Sequence, residues 1–384
     1  MKKNTRSFLC LMLALVLSLT LLAGCKKEAE EESSVILIPE KTVEDISVPE
    51  PVESSVPEVA ESSKAEESSQ PEESAPAVVK NPYVNPLTGE TEDHEVSGKR
   101  PVAFMINNIW VAVPQWGVKD ADIIFEAIVE GGITRLMCIF QEIPDEDIVG
   151  SVRSLRHNYI DFAAGYDAII AHCGCSNLAT DALERRGYDD IEAISWAGDL
   201  FYRDPWRAEN MGYEHSLMTT GKDINNYLEN DAFFRTQHEE GYQCNMVFSE
   251  SPKVSGGEIK TDIEVDFGKG KSTYFTFDAA SNDYTAAEYD EVYIDASDEK
   301  PVHFKNIVVI QTDVWTCDDA GHQDMDLTGE GDGWFMVNGV MSEITWSRAD
   351  EDSQFVYTYK DGTPVEFGIG KTYIGVISLG GGVY

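Results

Sequence analysis

Positive charge is what this chain has least of: 29 Lys and Arg stand against 69 Asp and Glu, for a formal net charge of -40. A protein that binds duplex nucleic acid needs a basic face to displace counterions from the phosphates. No run of Lys or Arg here exceeds two residues, so nucleic acid is excluded as a partner. Long apolar runs are lacking too. The longest, Phe8 to Leu22, holds about 15 residues where roughly 20 are needed to span a bilayer. Recognised catalytic signatures are also missing. There is no Gly-x-Ser-x-Gly elbow, no His-Glu-x-x-His and no dinucleotide fingerprint, and Gly370-Lys371-Thr372 is only the tail of a phosphate loop because Val365 stands where its first glycine belongs.

What is present begins at the N-terminus. Lys2, Lys3 and Arg6 lead into the apolar run, which ends at Leu22-Ala23-Gly24-Cys25. A basic start, a short apolar middle and small residues before a cut make a secretory signal, and the closing cysteine makes it a lipoprotein signal. The thiol of Cys25 is expected to carry a diacylglyceryl group. Two acyl chains hold a protein stably on a membrane where one does not, which predicts a lipid-anchored protein on the outer face of the cytoplasmic membrane. Four segments are expected: a signal peptide over 1–25, an acidic tether over 26–80, a mixed α/β domain over 81–250 and a β-rich domain over 251–384.

The tether is rich in Glu, Ser, Pro and Val and has no aromatic residue. Such a composition buries too little apolar area to offset chain entropy. As a coil of about 55 residues it spans on the order of 40 Å, and taut it reaches about 190 Å. Five cysteines follow it: Cys138, Cys173, Cys175, Cys244 and Cys317. An odd number leaves at least one thiol unpaired or paired between molecules. His172 beside Cys173-Gly174-Cys175 has the look of a metal site, but a structural site needs a second ligand pair, so packed thiols with at most one disulfide are the better reading. Asp318, Asp319, Asp324 and Asp326 lack the spacing of a calcium loop and read as a solvated turn. No metal and no cofactor is expected.

From Asn81 onward apolar runs and turn signals alternate. Pro101 to Asn108 reads as a buried strand. Asp122 to Glu130 and Ile133 to Gln141 read as two strands of a hairpin closed by Gly131-Gly132. Ser154 is placed to cap a helix reaching Ala164, Asp167 to His172 forms another strand, and helices are predicted over Asn177 to Arg186 and His215 to Leu228. After about Gly241 short strands recur between turns such as Asn338-Gly339 and Asp361-Gly362, which predicts a sandwich or small barrel. The fold class is therefore α+β, with a mixed α/β part followed by a mostly β part.

These segments resemble the YerB-like bacterial lipoproteins, whose two domains are both of unknown function. The resemblance lies in Asn85-Pro-Leu-Thr-Gly89, Arg100-Pro-Val-Ala103, Pro114-Gln-Trp-Gly117, Asp122 to Phe140, Val152-Arg-Ser-Leu-Arg156, Tyr166 to His172, Gly333 to Trp346 and Gly370-Lys-Thr372. It covers nearly all of 81–384. Family members often carry Gly-Pro before the Val-Arg-Ser segment, where this chain has Gly150-Ser151. The resemblance implies an envelope lipoprotein and brings no reaction with it.

One constellation of polar residues sits among the apolar runs: Glu126, Glu130, Arg135, Arg153, Arg156 and His172. On a strand, Glu126 and Glu130 share a face about 13 Å apart. A two-residue turn puts Arg135 opposite Ile128, within diagonal reach of both. Read as a site, Arg153 and Arg156 form a fork for a carboxylate or phosphate, while Glu126 or Glu130 and His172 are candidate catalytic groups. Read as structure, the same residues are an internal salt-bridge network, which the sequence alone favours. Tyr202, Trp206, Tyr213 and His215 likewise admit stacking on sugar rings or plain packing. Two functions remain open: a non-catalytic envelope protein that binds a wall polymer or a membrane partner, and a hydrolase or transferase acting on peptidoglycan. The first is favoured because no catalytic template is present.

Overall fold

The computed structural model describes residues 83–384 apart from Lys269. Cys25 and the tether lie outside the described residues. The three apolar runs of the first half become β1 (Val102–Asn108), β2 (Ile123–Ile128) and β3 (Thr134–Phe140), buried at every position. Strands covered on both faces read as continuous apolar runs rather than as alternation, which is why they stand out in the sequence. After them come β4 (Ile148–Gly150), helix α1 (His157–Ala164), β5 (Ile169–His172), helix α2 (Asn177–Arg186), β6 (Asp190–Glu192), β7 (Phe201–Arg203), helix α3 (Pro205–Asn210), β8 (Leu217–Thr220) and helix α4 (Gly221–Asn230). The second half is mostly strand: β9 (Asp262–Gly268), β10 (Lys271–Asp278), β11 (Asp283–Glu288), β12 (Asn306–Thr312), β13 (Gly329–Val337), β14 (Val340–Arg348) and β15 (Thr372–Ser378). The α+β class holds.

The second half builds no sandwich or barrel of its own. Strands β12 to β15 extend the sheet of the first half into one of eleven strands, in the order Glu258–Ile259, β14, β13, β12, β15, β2, β3, β1, β5, β6, with Val356–Tyr359 paired to β14. Strand β15 lies parallel to both β12 and β2, with Gly375 opposite Val309 on one side and Glu126 on the other. The backbone hydrogen bonding thus runs across residue 250 without a break. β9, β10 and β11 form the centre of a six-stranded sheet, which covers one face of the large sheet. There Phe275 and Phe304 pack against Tyr373. The opposite face is covered by α1, where Phe162 stacks on Phe125 at 4.7 Å and the Tyr159 hydroxyl donates to the carbonyls of Ala127 and Arg135.

Local expectations shift where side chains compete with the backbone pattern. The hairpin between β2 and β3 closes through five residues, with the Val129 amide donating to the Ile133 carbonyl. Arg135 therefore faces Ala127, not Ile128. A one-residue slip moves a side chain to the other face of a sheet, so Arg135 and Glu126 lie on opposite faces. Ser154 caps nothing: α1 starts at His157 after an extended Arg156 without a side-chain cap. Helix α2 runs over its predicted residues, with the Ser176 hydroxyl accepting from the Ala179 amide and Gly187 in the left-handed conformation closing it. The helix predicted from His215 starts at Gly221, because Leu217–Thr220 pairs as a strand with β4 and β7 and Thr220 supplies the cap. All five cysteines are unpaired.

The position of β15 has a measurable consequence. A fragment ending at residue 250 lacks the strand that pairs the open edge of β2, and exposes the faces that the six-stranded sheet covers. It is expected to show no cooperative thermal transition by circular dichroism, while residues 81–384 melt in one step. Independent cooperative melting of the shorter fragment would contradict this account of the shared sheet.

Candidate functional site

Strand β1 ends in two adjacent asparagines, and strand alternation sends them to opposite faces. Each founds a polar cluster. Asn108 points under the six-stranded sheet, where its amide donates to Glu126 at 3.1 Å, Thr134 at 3.0 Å and Glu288 at 3.1 Å. Glu126 also accepts from the hydroxyls of Thr134 at 2.5 Å, Thr273 at 2.8 Å and Tyr373 at 2.7 Å. Lys271 lies 3.2 Å from Glu126 and 3.1 Å from Glu288, with its ammonium 4.9 Å from the centre of the Tyr289 ring. Glu126 is fully buried, and Lys271 and Glu288 are buried beside it.

Two carboxyls and one ammonium in a dry site leave one negative charge too many. Glu126 gathers five donors, from Asn108, Thr134, Thr273, Tyr373 and Lys271. Burial pushes Glu288 up to about 7, against the partial relief that Lys271 gives. Burial also works against the charge of Lys271, but Glu126 and Glu288 outweigh it and raise the Lys271 pKa. Lys271 and Glu288 escaped the sequence reading because they lie in short alternating strands of the other half, where a charged residue on a strand is ordinarily a solvated one.

Asn107 founds the second cluster, which is open. Past Phe104 the parallel neighbours β1 and β5 diverge, and the Val152 to Leu155 segment occupies the crevice between them. The Arg153 amide donates to Met105, its carbonyl accepts from Cys173, and the Leu155 amide donates to Gly174. Ligands of open α/β sheets bind in crevices of this kind, beyond the carboxyl ends of parallel strands. The Asn107 amide donates to Nδ1 of His215 at 2.6 Å. Burial lowers the His215 pKa, so the ring is held neutral with its proton on Nε2, 3.5 Å from Glu214. Arg153 donates through Nη1 to the Glu214 carbonyl at 2.9 Å and carboxylate at 3.3 Å, while its Nε is buried without a partner. Arg203 lies 4.3 Å from the Tyr213 ring centre and donates to the Tyr213 carbonyl at 2.8 Å.

The predicted site residues are distributed over four places. Glu126 is in the closed cluster. Arg153 is in the open one. Glu130 bonds Arg156 and lies 3.2 Å from His322; burial opposes its charge, but the Arg156 hydrogen bond and charge prevail and lower its pKa. Arg135 donates to the Ser154 carbonyl, and burial beside Arg156 brings it down to about 9. His172 is buried with both ring nitrogens engaged, at 2.9 Å from the Gly174 carbonyl and 2.9 Å from Asp190. The fork of Arg153 and Arg156 does not form, because these residues precede α1 in extended chain and turn apart.

Of the aromatic residues that the sequence singles out, Trp206 and Tyr213 flank the open cluster, and Trp110, which it does not, lies on the segment that Arg207 ties to them. Trp110, Trp206 and Tyr213 are 67%, 61% and 68% exposed. Arg207, next to Trp206 on α3, ties this helix to the segments that carry Trp110 and Tyr213, donating to the carbonyls of Ala112 at 2.6 Å, Pro114 at 2.9 Å and His215 at 2.9 Å. Larger hollows exist elsewhere. One of about 920 Å³ is lined by Arg100, Arg186, Arg235 and Arg348. Its arginines are engaged by acids and carbonyls of the chain itself: Arg186 holds Asp161 and Asp352, and Arg235 holds Asp167. That leaves it poorly suited to an external anion.

The closed cluster makes stability depend on pH. A carboxyl whose folded pKa lies above its ordinary value of 4.5 stabilises the fold fully below that value and loses the contribution as pH rises through about 7. Comparison of urea midpoints at pH 5 and pH 8 is expected to show a loss of up to about 3 kcal/mol that Glu288→Gln abolishes. Identical pH slopes in both proteins would refute the assignment. Lys271→Met, which strands two carboxyls without their cation, is expected to cost roughly 3–5 kcal/mol.

With the geometry in view, the comparisons with known proteins fall into place. Residues 87–234 match the N-terminal domain, and residues 263–374 the C-terminal domain, of a protein of unknown function, DUF3048. A Bacillus subtilis (strain 168) protein named as a lipoprotein, YerB, is 30% identical over 299 residues, which is 76% of this chain and 85% of that one. The crystal structure of YerB protein from Bacillus subtilis superposes with a TM-score of 0.68 at 28% identity, covering 78% of this chain and 99% of that one. The chain belongs to the YerB-like family of bacterial lipoproteins.

Proposed function

We propose that this protein is a lipid-anchored, non-catalytic binding protein of the cell envelope that holds a wall polymer at the open cluster beyond β1 and β5. The observation that carries the reading is the exposure of Trp110, Trp206 and Tyr213 on segments joined by Arg207, with Arg203 against the Tyr213 ring and Arg153 on the neighbouring Glu214. Exposed aromatic rings on pinned segments offer flat apolar faces to sugar rings, and arginine supplies planar, charge-assisted bonds to acidic groups. Membership of a lipoprotein family and the Leu22-Ala23-Gly24-Cys25 signal support anchoring through Cys25 on the outer face of the membrane. Among the described residues no helix is long and apolar enough to cross a membrane. The burial of Glu126 and the full engagement of His172 speak for binding over hydrolysis.

Two measurements test the proposal. Mass spectrometry is expected to find diacylglycerol on Cys25, and Cys25→Ala is expected to move the protein out of the membrane fraction. The full chain is expected to co-sediment with peptidoglycan sacculi without releasing soluble fragments. The double change Trp206→Ala with Tyr213→Ala is expected to cut retention at least fivefold while leaving the melting temperature within a few degrees. Release of wall fragments, or retention that ignores both aromatic changes, would defeat it.

A further inference from the structure

The open cluster contains an anion already, and it belongs to the chain. Glu214 sits in the turn Tyr213–His215, and its carboxylate lies 3.3 Å from Nη1 of Arg153 and 3.5 Å from Nε2 of His215. Its hold there is weak. The Glu214 side chain is 65% exposed, and ion pairs in water contribute little. Arg153 is also under-used: one Nη1 bonds the Glu214 carbonyl and carboxylate, while Nε is shut off from solvent with no acceptor. A buried donor of this kind favours an anion that engages it. The neutral His215 ring presents an Nε2 proton beside it, fixed by the Asn107 amide on Nδ1.

We infer that Glu214 occupies the place of a ligand's acidic group, and that the protein binds an anionic glycan by exchanging the Glu214 carboxylate for that group on Arg153 and His215. This inference rests on the wall-polymer reading above and names the chemistry it recognises: sugar rings bearing a carboxylate or phosphate. The rings lie against the exposed aromatics and the acid takes the edge of the guanidinium, whose fork matches either oxyanion. The exposed Glu214 side chain swings into solvent, and its backbone carbonyl keeps the turn in place through its own bond to Arg153 at 2.9 Å. Glu214 thus favours acidic over neutral glycans, since a neutral glycan displaces it with no anion to take its place on Arg153.

The consequence is opposite in sign to that of an ordinary contact residue. In sedimentation assays with the full chain and purified sacculi, Glu214→Gln and Glu214→Ala are each expected to tighten retention about three- to tenfold, because the internal competitor is gone. Arg153→Gln is expected to weaken it more than tenfold. Sacculi stripped of phosphodiester polymers by acid separate the two sources of anion: retention that survives stripping assigns the carboxylate of the peptidoglycan, and retention lost on stripping assigns the phosphate. If wild-type protein binds sacculi but both Glu214 variants bind equally or less well, the exchange mechanism is overturned and the wall-polymer reading stands. If wild-type protein binds neither preparation, both fall.

Discussion

The structure depends on the placement of one strand. Residues 372–378, near the end of the chain, enter between a strand of the first half and a strand of the second, parallel to both. Every backbone bond on the open edge of β2 is made by this strand. It also carries Tyr373, whose hydroxyl reaches Glu126. The most deeply buried carboxylate of the first half is thereby solvated by a residue that the chain supplies only about 250 positions later. Backbone pairing and charge compensation are completed by the same element, which couples the folding of the two halves.

Around that constraint the sheet divides its polar residues by face. Asn107 and Asn108 are neighbours in sequence and strangers in space. The inner one joins Glu126, Lys271 and Glu288 in a cluster closed by the six-stranded sheet, where five donors surround the Glu126 carboxyl. The outer one orients His215 beside Arg153 at the end of a crevice that the chain fills with its own backbone. Burial of the first cluster stabilises the junction of the halves. Openness of the second, with exposed tryptophan and tyrosine on segments pinned by Arg207, suits it to a ligand. The same contrast explains why the larger, arginine-lined hollow is the weaker candidate: its cations already have partners.

Much of the scaffold was legible in the residues. The continuous apolar runs gave β1, β2, β3 and β5 to within a residue or two, Ser176 and Gly187 bounded α2, and Asn338-Gly339 marked the turn of the β13–β14 hairpin, where both residues adopt positive φ. The candidate site was less legible. The spacing of Arg153 and Arg156 implies one helical face only if both are helical, and hydrogen bonds from the Arg153 amide to Met105 and from the Cys173 amide to the Arg153 carbonyl hold that stretch extended. The five-residue loop after Ile128 likewise moved Arg135 to the other face from Glu126.

What the sequence determined by itself is what local chemistry decides: the acidic composition, the buried strands and the family. These rest on composition, on runs of neighbouring residues and on turn preferences, all of which act over a few positions. Only the tertiary structure decided which charges meet. Besides Asn108 and Thr134, the partners of Glu126 are the distant Lys271, Thr273 and Tyr373, and those of Arg153 lie around residue 214. No periodicity links residues so far apart, since their meeting is fixed by strand order and register, which depend on the whole chain closing its sheet.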